Sequence, residues 1–158
     1  MPAVLSEGDP APDFTLPDQH GDQVNLKGLR GRRVVLYFYP KADTPGCTAQ
    51  ACGVRDHRPD YERAGAVVLG ISSDPVTSIS KFDEKYGLGF PLLADEGHRV
   101  AESYGVWVEK SMYGRKYMGV ERTTFIIDKD GTIARVFRKV KPAGHAEEVK
   151  AALTAADA

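Results

Sequence analysis

The sequence predicts an α/β fold in which a mixed central sheet is flanked by helices, with an N-terminal β extension before it and a short inserted strand and helix within it. Three observations carry this. Residues 34–39 (VVLYFY) and 66–72 (AVVLGIS) are apolar runs without polar alternation, the pattern of strands buried on both faces. A helix-length segment separates them, so they read as a parallel strand–helix–strand unit. Further on, residues 123–128 and 132–138 flank Lys129-Asp130-Gly131, a hairpin turn signal, which adds an antiparallel half to the parallel one. At 158 residues and 17.2 kDa the chain fits one domain spanning 1–158. Its 42% hydrophobic residues supply one core without a disulfide or metal staple.

Each element follows in order. Residues 1–30 carry four prolines and only short apolar stretches at 14–16 and 24–26, which read as short edge strands or a hairpin. The first buried strand, 34–39, lies between Arg32-Arg33 and Pro40. Thr44-Pro45 then gives a hydroxyl N-cap followed by proline at the first helical position. That helix should run to about Ala64, with a kink near Pro59. Residues 66–72 form the second strand, and 76–86 an amphipathic helix with Ile79, Phe82 and Tyr86 on one face. Residues 91–94 read as a short strand and 99–104 as a short helix. The stretch 107–120, with Gly114, Gly119 and several basic residues, is the least regular and reads as a surface loop. A last helix occupies about 145–155, starting near Gly144. This order is the thioredoxin-like arrangement, whereas a doubly wound nucleotide-binding sheet would go on alternating strands and helices.

Composition excludes several classes of function. The 21 basic and 22 acidic residues nearly cancel, which argues against a nucleic-acid surface and against disorder. The longest strictly apolar run is the six residues 34–39, against the roughly 20 that a membrane helix needs. The N-terminus lacks the basic and apolar regions of a signal peptide, so a cytoplasmic address is the default expectation. In a reducing compartment two close cysteines point to catalysis or metal binding rather than to a scaffold.

Cys47 falls in the first turn of the helix that begins at Thr44-Pro45, at the C-terminal edge of the sheet. Unpaired N–H groups and the positive end of the helix dipole favour an anion there. An ordinary thiol, with a pKa of about 8.5, is only about 3% ionised at pH 7, so this position can turn an idle thiol into a nucleophile. The alternative is a buried cysteine serving as a small hydrophobe. Cys52 lies five residues on, which in an intact helix sets the side chains roughly 140° apart and the Cα atoms about 8.7 Å apart. A disulfide needs Cα atoms within about 7 Å, so bridging requires the first turns to unwind. Gly53 and Pro59 make such opening cheap. The pair is a poor zinc site, because only His57 is near and four ligands are needed. No metal or cofactor is expected.

The segment PKADTPGC contains Pro40-x3-Thr44-x2-Cys47 and resembles the peroxidatic motif of peroxiredoxins. TPGCTAQACGVRD, FPLLADEGHRVAESYGVW, EKSMYGRKYMGV and ERTTFIIDKDG extend the likeness to the bacterioferritin comigratory protein, or peroxiredoxin Q, subfamily over about residues 8–153. The resemblance implies that Cys47 attacks a peroxide, hydrogen peroxide or an organic hydroperoxide. It implies further that Cys52 resolves the sulfenic acid within the chain, and that thioredoxin or a related dithiol protein reduces the disulfide. It also puts Arg122 beside the peroxidatic thiolate, with Thr44 and Pro40 in the same site. From sequence alone Arg122 reads first as a surface charge paired with Glu121, an order that only the resemblance reverses, and Arg55 and Arg58 read as a solvated helix face. A monomer suffices for this chemistry. A non-enzymatic redox sensor remains open and differs by lacking sustained turnover, while a thiol-disulfide oxidoreductase would carry two intervening residues, not four.

Overall fold

The computed structural model describes residues 5–142 and 144–156. In chain order these form β1 (Thr15–Pro17), β2 (Gln23–Asn25), a single 3-10 turn, β3 (Arg33–Phe38), α1 (Pro45–Arg63), β4 (Ala66–Ser72), α2 (Val76–Tyr86), β5 (Leu92–Ala94), α3 (Arg99–Ser103), β6 (Trp107–Met112), β7 (Arg115–Val120), β8 (Thr123–Ile127), β9 (Ile133–Phe137) and α4 (His145–Ala156). The main sheet has the order β5-β4-β3-β8-β9, with β3 parallel to β4 and antiparallel to β8. This is the mixed, helix-flanked sheet expected, and β1 with β2 forms the expected N-terminal hairpin.

The continuous apolar character of β3 has a direct cause. Successive side chains of a strand point to opposite faces, and both faces of this one are covered. Val35, Tyr37 and Tyr39 join a layer with Cys47, Val54, Ile79, Phe82 and Val149 from α1, α2 and α4. Val34, Leu36 and Phe38 join the opposite layer with Tyr104, Val106, Phe125 and, from the N-terminal extension, Phe14. Each such side chain contributes roughly 1.5–3 kcal/mol on burial, so neither layer can be spared. Gly70 lies opposite Tyr37 across the β3–β4 pairing, and a Cβ there would come within 2.8 Å of the Tyr37 ring. Only glycine lets that ring lie flat over the sheet.

The stretch 107–120 corrects the sequence reading: it is not a loop but a two-stranded hairpin, paired from Trp107 with Val120 to Met112 with Arg115. Its turn, Tyr113-Gly114, has positive φ at both residues, the geometry of a two-residue hairpin turn. Both faces are largely exposed, so no apolar alternation marks the strands. At the other predicted irregularity, α1 continues past Pro59 to Arg63.

Candidate active site

The site forms where β3 delivers the chain to α1. Pro40 stands half-buried at that exit, and the loop after it is tied down at Ala42, whose N–H donates to Asp74 Oδ2 at 2.7 Å. Thr44 occupies the N-cap position with extended backbone, but its hydroxyl does not cap the helix; it turns back and donates to the Lys41 carbonyl at 2.8 Å. This corrects the expected capping contact. The consequence is chemical, because no side-chain oxygen caps α1 and the first-turn N–H groups stay directed at whatever approaches Cys47.

Cys47 is the third residue of α1 and is 1% exposed. Arg122 reaches it from the junction of β7 and β8, Nη2 donating to Sγ at 3.2 Å. The other guanidinium nitrogen, Nη1, donates to Gln50 Oε1 at 2.5 Å. Gln50 lies three residues beyond Cys47, one turn along the same helix face, and is 2% exposed. Arg122 is thereby held as a fork between sulfur and amide, not paired with Glu121 as the surface reading had it. Its backbone is fixed too: the Arg122 carbonyl accepts from Val140 N–H at 2.9 Å, and Glu121 N–H donates to Val106 at 2.7 Å. Gly46 makes room for this approach, since a Cβ there would lie 3.3 Å from Arg122 Nη2 and 3.3 Å from Pro142 Cγ.

Cys52 is half-buried and, like Cys47, a free thiol. Both stand on one continuous helix, so the two side chains diverge as the spacing requires. Arg55 and Arg58 keep 36% and 42% of their side chains exposed, as a solvated face expects, but each is also tethered to a backbone carbonyl. Arg55 Nη1 donates to the Tyr86 carbonyl at 2.6 Å, and Arg58 donates to the Gly89 carbonyl.

Electrostatics mark the same region. Burial drives the Tyr37 hydroxyl far above the usual phenol range, so this neighbour of Cys47 in the core is neutral and offers no competing anion. Lys110, on β6, is pulled below the usual lysine range, first by burial and then by the Arg122 charge. His145, at the start of α4, is pulled below the usual imidazole range chiefly by burial, and its Nε2 pairs with Thr124 Oγ1 at 2.8 Å. Sequence reasoning missed Gln50 and Lys110. The i, i+3 relation to Cys47 could have flagged Gln50, whereas Lys110 arrives only because 107–120 folds back as a hairpin.

This arrangement suits nucleophilic chemistry at sulfur: a permanent cation and helix N–H groups surround a thiol shielded from bulk water. The chain matches the AhpC/TSA family over residues 7–136. It is 53% identical over 145 residues to peroxiredoxin Bcp of Escherichia coli, covering 92% of this chain and 93% of that protein. It is 52% identical to a putative peroxiredoxin of Coxiella burnetii over 92% of this chain and 96% of that one. Among solved structures, a mutant of PrxQ from Xylella fastidiosa superposes with a TM-score of 0.94 at 34% identity over 99% of both chains. The bacterioferritin comigratory protein of Xanthomonas campestris, described for its alkyl peroxide reduction activity, superposes with a TM-score of 0.88 at 39% identity over 92% of both.

Proposed function

The chain belongs to the AhpC/TSA family and is a thiol peroxidase of the peroxiredoxin type, and from that premise we propose that Cys47 is its peroxidatic thiol and Cys52 its resolving thiol. The Cys47 thiolate attacks one peroxide oxygen; a sulfur–oxygen bond forms, the oxygen–oxygen bond breaks, and the other oxygen leaves as water or alcohol once protonated. Charge develops on that leaving oxygen, so fixed donors aimed at it lower the barrier. Arg122 and the N–H groups of the first turn supply them; the Thr44 hydroxyl joins them by turning from the Lys41 carbonyl to the peroxide, while Pro40 excludes water without adding a donor. The Cys52 sulfur then attacks the sulfenic sulfur, a disulfide forms and water departs. Thioredoxin or a related dithiol protein restores both thiols by two exchanges. All the electrons come from thiols, so no cofactor enters.

The observation that carries this reading is the contact of 3.2 Å between Arg122 Nη2 and the buried Cys47 sulfur. Hydrogen peroxide and organic hydroperoxides are the proposed substrates, the second because a relative at 39% identity is described as reducing alkyl peroxides. Two close cysteines resolved within one chain fit a cytoplasmic monomer. The test is peroxide consumption with excess thioredoxin, together with mass analysis after one equivalent of peroxide. Wild type should lose two hydrogens and join the Cys47 and Cys52 peptides. Cys52→Ser should gain one oxygen and stall, and Cys47→Ser should do neither. Turnover by Cys47→Ser above about a tenth of wild type overturns the assignment, and single-turnover behaviour of wild type would make the protein a sensor.

A further inference from the structure

The segment that must unwind for Cys47 to meet Cys52 is tied at both ends to one residue. Asp43, two residues before α1, has φ 59°, in the left-handed region that side chains seldom adopt. Its carboxylate holds it there, accepting from Tyr86 Oη at 2.8 Å and from Lys85 Nζ at 3.0 Å. At the far end, Arg55 Nη1 donates to the backbone carbonyl of the same Tyr86 at 2.6 Å. Tyr86 closes α2, its ring set edge-on against Phe82 at 5.6 Å and packed on the core layer that contains Cys47. The anchor therefore moves with α2, not with the first turns of α1. Both cysteines lie inside the bracket, and neither Asp43 nor Arg55 hydrogen-bonds Cys47 among the described contacts.

We propose that Asp43, Tyr86 and Arg55 are positioning residues that set the rate of the resolving step by bracketing the unwinding segment. The proposal rests on the reading of Cys52 as resolving thiol. Pinned ends lower the conformational entropy that residues 44–54 gain on melting, so the open form is rarer than it would be with free ends. The sulfenic acid on Cys47 consequently persists longer. During that time a second peroxide can pass one oxygen to the sulfur, leaving as water or alcohol and producing a sulfinic acid that Cys52 cannot resolve. The bracket thus sets the peroxide concentration at which the enzyme inactivates itself.

The test is Asp43→Asn/Tyr86→Phe. Asparagine tolerates positive φ and phenylalanine keeps the ring against Phe82, so the backbone and core are spared while the charge and the hydroxyl bond are lost. Disulfide formation after one equivalent of peroxide, followed by quenched mass analysis, should accelerate about two- to fivefold, the factor an exposed ion pair can supply. The peroxide concentration that converts half the chains to the sulfinic form should rise by the same factor, while the stopped-flow rate of Cys47 oxidation stays unchanged. Raising the salt should accelerate disulfide formation in wild type and not in the variant, because only wild type has the pair to screen. Arg55→Met, which keeps the aliphatic stem, should shift the same two quantities in the same direction. A lower melting temperature with unchanged disulfide rate and unchanged peroxide sensitivity would reduce the bracket to structural support and overturn the proposal. Absence of any Cys47–Cys52 disulfide in wild type would instead overturn the resolving role, and the bracket with it.

Discussion

The two halves of α1 are held by different forces. The first half, 45–54, is held by burial: Cys47, Gln50, Ala51 and Val54 all face the core. It has no side-chain cap, and it contains Gly46 and Gly53, each costing roughly 1 kcal/mol of helix stability against alanine. The second half, 55–63, buries only Tyr61 but is tethered by directed bonds. Arg55 binds the carbonyl of Tyr86 at the end of α2, Arg58 binds that of Gly89 just beyond it, Tyr61 Oη donates to the Ala146 carbonyl at 2.8 Å, and Lys150 on α4 pairs with Asp60 at 3.6 Å. Pro59, lacking an N–H, leaves the Arg55 carbonyl without its helical partner just where the halves meet. Burial is regained whenever the apolar face returns, so the first half can leave and come back. Tethers define where it returns to.

Within the first half, the contact with Arg122 is the one that chemistry would use. Arg122→Ala should slow Cys47 oxidation about a hundred- to a thousandfold, the usual effect of losing one preorganised donor worth about 2.7–4 kcal/mol. The melting temperature should change little, because burial of the apolar neighbours is untouched. Stopped-flow peroxide oxidation beside a thermal melt separates these effects. A normal oxidation rate would mean that the first half is held for packing alone.

Gln50 gives a finer version of the same test. It touches no reacting atom in the structure, and acts by holding one arm of Arg122 at 2.5 Å. Losing a hydrogen bond to a charged group costs about 1.5–3 kcal/mol, so Gln50→Ala should slow oxidation about ten- to a hundredfold. Gln50→Glu keeps an acceptor in place and should recover most of that loss. If alanine and glutamate behave alike, Arg122 is aimed by its backbone and by Gly46 rather than by Gln50.

These contacts differ in how far the sequence could reveal them. The buried strands were legible because β3 and β4 lack polar alternation, and the helix start was legible in Thr44-Pro45. Cys47 itself followed from that start. The approach of Arg122 spans 75 residues and depends on the ends of β7 and β8, so only the family resemblance located it. The tethers of the second half escaped for a different reason: Arg55 and Arg58 bind backbone carbonyls, which leave no mark in the residue types around them. Thr44 shows the limit of local rules, since a residue ideal for capping spends its hydroxyl on Lys41. The hairpin at 107–120 escaped because exposed strands carry no apolar alternation.

The smallest expected effect concerns the second half. Its tether through Tyr61 ends on Ala146, next to His145, which is buried beneath Phe137 and paired with Thr124. Burial depresses the folded-state pKa of His145, with the Arg122 charge acting in the same direction and Glu148 opposing both. The folded protein therefore favours neutral imidazole, whereas the unfolded chain takes up its proton near pH 6.5. Stability from this residue is fully present above about pH 6.5 and is lost as pH falls through that value toward the depressed one. The melting temperature should fall between about pH 7.5 and 5.5, and His145→Gln should flatten that part of the profile relative to wild type. Hydrogen exchange sharpens the comparison: acidification should cost protection in 55–63 and in α4, whereas oxidation should cost it in 45–54. If acid and oxidation open the same half, α1 is a single cooperative unit and the distinction between burial and tethering does not govern its motion.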